Sequence, residues 1–290
     1  MRALISIPLF LLLLGSLRAE DAGDSGWRVM SFNIRYDNPG DGADAWPKRK
    51  DDVARFIQGS EVDIAGFQEV LANQRADLES QLPDFAVYGV GRDDGKERGE
   101  QVPIFWRKDR FEMLEQSTFW LSPEPDRPGS MGWDAAITRI ASWVKLKDKS
   151  TGQTFYFINT HFDHQGEEAR AKSATLLREM LGKKFPDHPV ILTGDFNATP
   201  DSEPIRNLTS PKEGDAAFFD SRMRVEKPLG PNSTWCGFRK VVPGRRIDFV
   251  FTTADVQVRS FEIAAARKGD RFLSDHLPVL TELAIGSEAK

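Results

Sequence analysis

The residues best suited to chemistry begin with an acidic turn that follows an apolar segment. Residues 193–199 read T-G-D-F-N-A-T and come directly after P-V-I-L at 189–192. A buried strand running out into this turn would place Asp195 and Asn197 two residues apart, so in extended geometry their side chains point the same way. A rigid strand end is a common place to hold reactive groups. Alone the turn is weak evidence, because an aspartate in a turn more often stabilises the turn itself.

Polar side chains of the same kinds recur at the ends of other apolar segments. With the first pair, the set comprises Asn33, Glu69, His161, Asp195, Asn197, Asp248, Asp275 and His276. Carboxylates and carboxamides together make an oxygen-rich site that suits a hard divalent cation. The chain has one cysteine, Cys236, which excludes a site built from several thiolates. The two histidines add groups that transfer protons near neutral pH.

Many strand ends must meet at one edge to bring these residues together. Apolar patterning predicts strands over 27–36, 62–67, 87–90, 102–106, 111–121, 138–147, 154–160, 189–192, 246–252 and 278–283. Helical spacing predicts helices over 46–58, 73–82 and 167–183 and around 204–208. Residues 122–133 hold three prolines and two glycines, which predicts a long irregular loop.

A weak internal echo indicates how these elements pack. Residues 31–35, S-F-N-I-R, resemble 158–162, and residues 64–69 resemble 191–196. Two similar halves would pack as two sheets face to face with helices outside, and both would place polar strand ends at one edge.

Six segments carry a resemblance to a known family. They are S-F-N at 31–33, F-Q-E at 67–69, N-T-H at 159–161, G-D-F-N at 194–197, R-I-D-F-V at 246–250 and S-D-H-L-P-V at 274–279. In this order they resemble the deoxyribonuclease-I-like endonuclease/exonuclease/phosphatase superfamily, in a secreted, bacterial-type branch. The resemblance implies an α+β fold, a four-layered αββα sandwich of two packed mixed, mainly antiparallel sheets with outer helices. It also implies metal-dependent phosphoester hydrolysis.

The resemblance implies a metal centre on three of these residues. Glu69 is the main ligand, Asn33 lies beside it, and Asp275 is a candidate ligand for a second metal. Mg²⁺ is the expected ion, since few hard ligands leave positions for water and phosphate, and Mn²⁺ is the alternative.

The resemblance assigns proton transfer and phosphate binding to the remaining five. Asp195 orients or deprotonates the attacking water. Asn197 and His161 hydrogen-bond the non-bridging oxygens as charge builds up. Asp248 fixes the tautomer of His276 and favours its charged form. His276 then acts as an acid or base or contacts phosphate, and the identity of the general base stays open.

Four further residues are candidates for substrate contact. Arg139 resembles a phosphate-binding arginine, the alternative being a surface residue on an edge strand. His164 either touches substrate or caps its loop. Trp133 and Trp235 would line a cleft in which aromatic faces stack on sugars or bases, the alternative being core packing. The charged, glycine-rich residues 91–100 are expected to form a rim loop.

The N-terminus differs in composition from the rest of the 290-residue chain. Arg2 precedes an apolar run at 4–14 and small residues return at 16–19, which predicts a signal peptide over 1–19. A retained anchor is the alternative. A flexible stretch over 20–26 and one domain over 27–285 would follow. No second long apolar run occurs, so we expect an exported, periplasmic or secreted monomer with no membrane span in the mature chain.

Charge narrows the choice of function. The net charge of −5 does not steer the protein strongly onto polyanions. The favoured function is an exported metal-dependent phosphodiesterase or phosphatase acting on a small, sugar- or lipid-linked phosphoester. A secreted nuclease is the alternative. It is disfavoured because the sequence shows no basic segment interleaved with aromatic residues, the pattern typical of nucleic-acid binding. A non-catalytic binding module on the same fold is the third possibility. It is disfavoured because binding alone does not require the full set of polar residues.

Overall fold

The computed structural model describes residues 26–185, 188–210 and 217–285. The expected signal peptide and residues 20–25 lie outside the described residues. The α-helices are α1 Lys50–Gly59, α2 Ala72–Gln81, α3 Glu167–Lys184 and α4 Glu203–Thr209, with 3-10 helices at Pro39–Asp44, Trp46–Lys48 and Ser221–Arg224. Among the described residues, no helix is long and apolar enough to cross a membrane.

Fourteen strands are present in the described part of the chain. They are β1 Trp27–Asn33, β2 Ile64–Gln68, β3 Phe85–Tyr88, β4 Ile104–Arg107, β5 Phe111–Trp120, β6 Ile140–Asp148, β7 Thr154–His161, β8 Val190–Asp195, β9 Phe219–Asp220, β10 Asp248–Thr252, β11 Val256–Ile263, β12 Arg267–Lys268, β13 Arg271–Phe272 and β14 Val279–Ile285.

Twelve of the strands form two six-stranded sheets. The first has the order β11-β14-β1-β2-β4-β3 and the second β5-β6-β7-β8-β10-β9. Each sheet has one parallel pair at its centre, β1 with β2 and β7 with β8, and its other pairs are antiparallel. The echo between 31–35 and 158–162 therefore corresponds to equivalent central strands.

The sheets do not correspond to the two halves of the chain. β11 and β14, from the C-terminal end, join the N-terminal strands in the first sheet, where β14 pairs antiparallel with β1. Because the pairing is antiparallel, the start of β14 lies beside the end of β1. The C-terminal segment that precedes β14 thereby reaches the edge where the first strands end.

Three apolar layers hold the sandwich together, because successive strand residues face opposite sides of a sheet. Val29 of β1 packs between the sheets, with Phe157 and Val250 of the second sheet. Its neighbour Met30 faces outward, into the cluster that contains the α1 residues Val53 and Ile57. A third cluster joins the outer face of the second sheet to α3 and α4. The layers therefore run helix, sheet, sheet, helix, which confirms the predicted αββα sandwich.

The helix predicted over 46–58 is divided in the structure. A 3-10 turn covers Trp46–Lys48, and α1 begins only at Lys50. Arg49 between them is non-helical, with φ −126° and ψ −9°. Its buried guanidinium donates to the carbonyls of Ile34, Arg35 and Leu273, so Arg49 connects the loop after β1 with the loop before β14.

Candidate active site

The polar residues converge because each lies at the end or the start of a strand at one edge of the sandwich. The strands are β1, β2, β7, β8, β10 and β14. In the second sheet His161 of β7 is in register with Asp195 of β8, which in turn is in register with Asp248 of β10. In the first sheet Asn33 ends β1 and Glu69 follows the parallel strand β2. The structure therefore brings these strand-end residues together at one edge.

Asn33 connects carboxylates from the two sheets. Its Nδ2 donates to Glu69 Oε1 over 3.0 Å and to Asp195 Oδ2 over 2.9 Å. The other Glu69 oxygen, Oε2, accepts the backbone N–H of Tyr36 at 3.1 Å. Glu69 itself has φ 62°, a left-handed conformation that non-glycine residues adopt at a cost and that is concentrated at functional sites. The side chain of Glu69 is thus held by its backbone turn and by two donors.

Two histidines flank Asp195 in different environments. His276 Nδ1 donates to Asp248 Oδ2 over 2.9 Å, which leaves its Nε2 3.7 Å from Asp195 Oδ2. His161 Nε2 lies 3.4 Å from the same Asp195 oxygen and 3.1 Å from the amide nitrogen of Asn197. Asn197 also donates its backbone N–H to Asp195 Oδ1 over 2.9 Å. Asp195 is therefore the centre of the cluster.

The surroundings shift the pKa values of the two histidines in opposite directions. Burial opposes the charge on His276, but the carboxylates of Asp248 and Asp195 together raise the pKa of His276 well above its ordinary value. Burial, and then the charge of Arg139, lowers the pKa of His161 well below its ordinary value. Near neutral pH His276 is a cation and His161 is neutral, a separation typical of acid–base pairs in active sites.

Asp195 is poised to exchange a proton near neutral pH. Burial, and then the nearby Asp248 charge, raises the pKa of Asp195 to about 7, although His276, Asn197 and Asn33 favour its ionised form. A carboxylate with a pKa near the working pH is suited to general acid–base catalysis.

A divalent cation fits the group formed by Glu69, Asp195 and His276. One ligand atom from each lies within 4.8 Å of the others. The two carboxylates match the preferences of Mg²⁺ and Mn²⁺, whereas the imidazole of His276 could bind a metal only in its neutral form. Asn33 is placed beside the group as predicted, but its amide nitrogen faces the carboxylates and its Oδ1 accepts the Arg35 N–H at 3.0 Å. Asn33 would need to rotate its amide by half a turn to offer oxygen to the cation.

Asp275 lies outside that three-residue group. Its carboxylate accepts from the Ser274 hydroxyl over 3.2 Å and is 3.9 Å from Arg35 Nε. Burial raises the pKa of Asp275. The backbone carbonyl of Asp275 receives the N–H groups of Cys236 and Gly237, which packs the 274–276 turn against the loop before β10.

Arg35 is a site residue that the sequence analysis did not identify. Its guanidinium bonds both oxygens of Asp41, at 3.0 and 3.1 Å, and approaches Glu69 to 3.8 Å. Burial alone would lower the pKa of Arg35, but Asp41, Asp275 and Glu69 raise it, so the group is a permanent cation. Its position directly after the S-F-N-I segment was a usable signal.

Arg139 is buried beside the site, so it is not the surface arginine of the alternative reading. It is 5% exposed, its Nη2 lies 3.2 Å from His164 Nδ1, and its Nε lies 3.6 Å from Asp163 Oδ2. A small cavity is lined by Arg139, His161 and the Arg92–Glu100 pair, whose nitrogen and oxygen are 2.8 Å apart. The predicted rim loop at 91–100 thus contributes a second guanidinium close to His161.

The two predicted tryptophans occupy different places. Trp235 is half-buried, pairs through its backbone with His276, and lies under the Arg245 guanidinium at 5.4 Å. Trp133 is half-buried with φ 57° in the proline-rich loop that precedes Arg139. Trp235 therefore adjoins the cluster. Cys236 beside it is inert, because burial raises the pKa of its thiol to about 12.

A four-layered αββα sandwich with carboxylates, amides and histidines at one edge is the architecture of a phosphoester hydrolase. The chain belongs to the endonuclease/exonuclease/phosphatase family, whose model matches residues 30–276. Members of this family hydrolyse phosphoester bonds and generally depend on a divalent metal.

Solved structures and a curated relative agree with this assignment. An endonuclease/exonuclease/phosphatase from Bacteroides vulgatus is 44% identical with a TM-score of 0.86, covering 90% of this chain and 100% of that one. The mannosyl-6-phosphatase Bt3783 of Bacteroides thetaiotaomicron is 36% identical with a TM-score of 0.83, covering 89% and 99%. Protein L388 of Acanthamoeba polyphaga mimivirus is 31% identical, covering 81% of this chain and 91% of its own. The human nocturnin catalytic domain, 20% identical, shares the fold, with a TM-score of 0.71.

Proposed function

We propose that this protein is a Mg²⁺-dependent phosphatase that removes phosphate from a small, sugar-linked phosphoester. The observation that carries the proposal is the convergence of Glu69, Asp195 and a cationic His276, with side-chain atoms within 4.8 Å of one another, beside a neutral His161. The similarity to a mannosyl-6-phosphatase at 36% identity over nearly the whole domain supports a sugar phosphate as the substrate class.

Glu69 would hold the cation, with Asn33 beside it, while Asp195 and protonated His276, whose side-chain atoms lie within 4.8 Å of Glu69, keep their proton-transfer roles. When bound, the cation supplies Lewis-acid polarisation of the phosphoryl group and charge neutralisation. Glu69 is already fixed for this task by the donors Asn33 and Tyr36. Mg²⁺ is proposed because hard oxygen ligands dominate the group, and Mn²⁺ would substitute.

Asp195 positions the attacking water and accepts its proton. The new bond joins the water oxygen to phosphorus, and the bond from phosphorus to the sugar oxygen breaks. The pKa of Asp195 near 7 allows it to take the proton at neutral pH. His276, held as a cation by Asp248, is the donor available to the departing oxygen or to a phosphoryl oxygen.

Neutral donors surround the position where phosphoryl charge increases. Asn197 Nδ2 and the neutral ring of His161 are 3.1 Å apart and rigidly placed, Asn197 by a second contact to the Phe162 carbonyl. The buried guanidinium of Arg139 lies behind them and adds a fixed positive charge. Fixed donors of this kind stabilise a transition state without reorganisation.

Export completes the proposal. It is supported by the charged start and the apolar run of residues 1–19, a signal-peptide pattern. The acidic net charge of −5 supports a small substrate over a nucleic acid.

A substrate panel tests the proposed activity. Purified protein is stripped with chelator, reloaded with Mg²⁺ or Mn²⁺, and assayed on mannose 6-phosphate, glucose 6-phosphate, bis-p-nitrophenyl phosphate and plasmid DNA. We expect metal-dependent phosphate release from a sugar phosphate. In Asp195→Ala the rate of release should fall by roughly 10²–10⁴-fold. Faster cleavage of DNA than of every small ester would instead identify a nuclease.

A further inference from the structure

A polar cleft beside the catalytic cluster is not accounted for by the residues that act on phosphate. It has a volume of about 480 Å³, within the range of small-molecule sites, roughly 300–1,000 Å³. Its lining residues come from the segments that follow β7 and β8 and from the segment that precedes β10, the strands that carry His161, Asp195 and Asp248. A molecule held at the cluster by one end would therefore extend directly into this cleft.

Asn197 joins the cleft to the cluster. Its side chain contacts His161 and also lines the cleft, with Thr199 and Glu203 following it along the chain. On the β7 side the wall continues through His164, whose ring nitrogen is 3.2 Å from the buried Arg139 guanidinium. The cleft and the phosphate-binding groups are thus one continuous surface.

Arg245, which lies just before β10, also lines the cleft. Its guanidinium lies over the half-buried Trp235 ring at 5.4 Å, and Trp235 pairs through its backbone with His276. Arg245 is exposed, and the described residues place no carboxylate within ion-pair distance of it. An arginine stacked on an aromatic ring is held in orientation while its N–H groups remain free to bind.

The charges in the cleft are mixed. Arg170 and Arg245 line the cleft together with Glu167 and Glu203, and Arg170 donates a hydrogen bond from Nη1 to the Asp163 carbonyl over 3.0 Å. Within the described part of the chain neither glutamate forms an ion pair. A cleft with two cations and two acceptors does not select an anion. It matches a neutral ligand with many hydroxyl groups, each of which both donates and accepts hydrogen bonds.

We propose that this cleft binds the sugar ring of the substrate, with Arg245 and Glu203 as specificity-determining residues. The inference rests on the proposed sugar phosphatase function and adds where its alcohol portion lies. The phosphate sits at the cluster, and the pyranose hydroxyls bond the Arg245 guanidinium and the Glu203 carboxylate. An ester without hydroxyl groups gains nothing from these two residues.

Selectivity between two esters tests the inference. The metal-loaded enzyme and the variants Arg245→Ala and Glu203→Gln are assayed on mannose 6-phosphate and on phenyl phosphate, which lacks sugar hydroxyls. We expect the ratio of kcat/KM for the sugar ester to that for the phenyl ester to fall roughly tenfold in Arg245→Ala, which loses a hydrogen bond from a charged group. The ratio should fall by a smaller factor in Glu203→Gln, which keeps an oxygen acceptor but loses the charge. Lys183→Ala, an exposed residue on the same helix as Arg170, is the control and should leave the ratio unchanged.

The possible failures are distinguishable. If wild type hydrolyses neither ester with any metal, the proposed function is wrong. If wild type hydrolyses both esters and neither Arg245→Ala nor Glu203→Gln changes the kcat/KM ratio from the wild-type value, the cleft does not hold the sugar. Circular dichroism on each variant establishes that the fold is intact, and both side chains are exposed, so their removal leaves no buried cavity.

Discussion

Replacing Asp248 by Asn isolates what its charge does for His276. The Asp248 carboxylate is fully buried, and its Oδ2 accepts from His276 Nδ1 over 2.9 Å. An Asn side chain keeps an oxygen acceptor of the same size but removes the charge. A net hydrogen bond to a charged group contributes about 1.5–3 kcal/mol, against about 0.5–1.5 kcal/mol for a neutral pair. The difference of about 1–1.5 kcal/mol corresponds to a fall of about one unit in the pKa of His276.

The sign of the pH dependence follows from the raised pKa. His276 is protonated further up the pH scale in the folded protein than in the unfolded chain. Its contribution to the free energy of unfolding is therefore complete below the unfolded pKa of about 6.5 and is lost as pH rises through the folded pKa. Asp248→Asn should destabilise the protein more at pH 6 than above that folded pKa. If protonated His276 is the active form, the falling limb of the kcat profile should also move to lower pH.

The assay is histidine titration by NMR on chelated protein. The chain has four histidines, so each ring signal is assigned by single substitution. Asp220→Asn is the matched control. Asp220 lies on β9, the neighbour of β10, and it is also buried and paired, with Arg246 at 2.6 Å. An unchanged His276 pKa in Asp248→Asn, or an equal fall in Asp220→Asn, would refute the assigned pairing.

Three further substitutions test other parts of the site. Glu69→Gln should raise the Mg²⁺ concentration for half-maximal turnover at least tenfold, since supporting residues alone cost about 10–100-fold in metal affinity; an unchanged metal titration removes Glu69 as a ligand. Arg139→Lys should lower kcat/KM by roughly tenfold or more, because lysine cannot reproduce the planar guanidinium contacts; stopped assays on a sugar phosphate measure it, and wild-type values would make Arg139 structural. Cys236→Ser should retain turnover within a factor of about three and wild-type protein should resist alkylation at pH 8, since a thiol with a pKa of about 12 is protonated there; rapid modification with loss of activity would contradict this.

Much of the fold follows from local sequence patterns. Strands such as β7 and β8 are continuous apolar runs, so they are recognisable as central, doubly covered strands. β11 was not predicted. Its register shifts between Val258 and Ser260, and that bulge interrupts the period-two alternation on which the prediction depends.

The assignment of strands to sheets could not be predicted from local patterns. The echo suggests that each half of the chain forms one sheet, but β14 pairs with β1 and so joins segments about 250 residues apart in sequence. No local pattern encodes such a contact. It is this pairing that brings Asp275 and His276 to the edge where β1 ends.

The site residues could be identified in the sequence by their chemical types. Their mutual distances, contacts and pKa shifts depend on how the strands pack. His161, Asp195 and Asp248 lie on strands that are neighbours in one sheet, which the motif order alone does not specify. The opposite shifts of the two histidine pKa values depend on the Asp248 contact on one side and on buried Arg139 on the other. Arg35 was missed because its contacts with Glu69 and Asp275 arise only from the turn that follows β1.

Parallel titration of metal binding and turnover tests the central claim most directly. Chelated protein is titrated with Mn²⁺, bound ion is measured by electron paramagnetic resonance, and phosphate release from a sugar phosphate is measured in the same samples. We predict that both curves share one midpoint in wild type and that both shift to higher Mn²⁺ in Glu69→Gln. Full turnover in the chelated protein, or binding unaffected by Glu69→Gln, would contradict a metal centre on Glu69 beside Asp195 and His276.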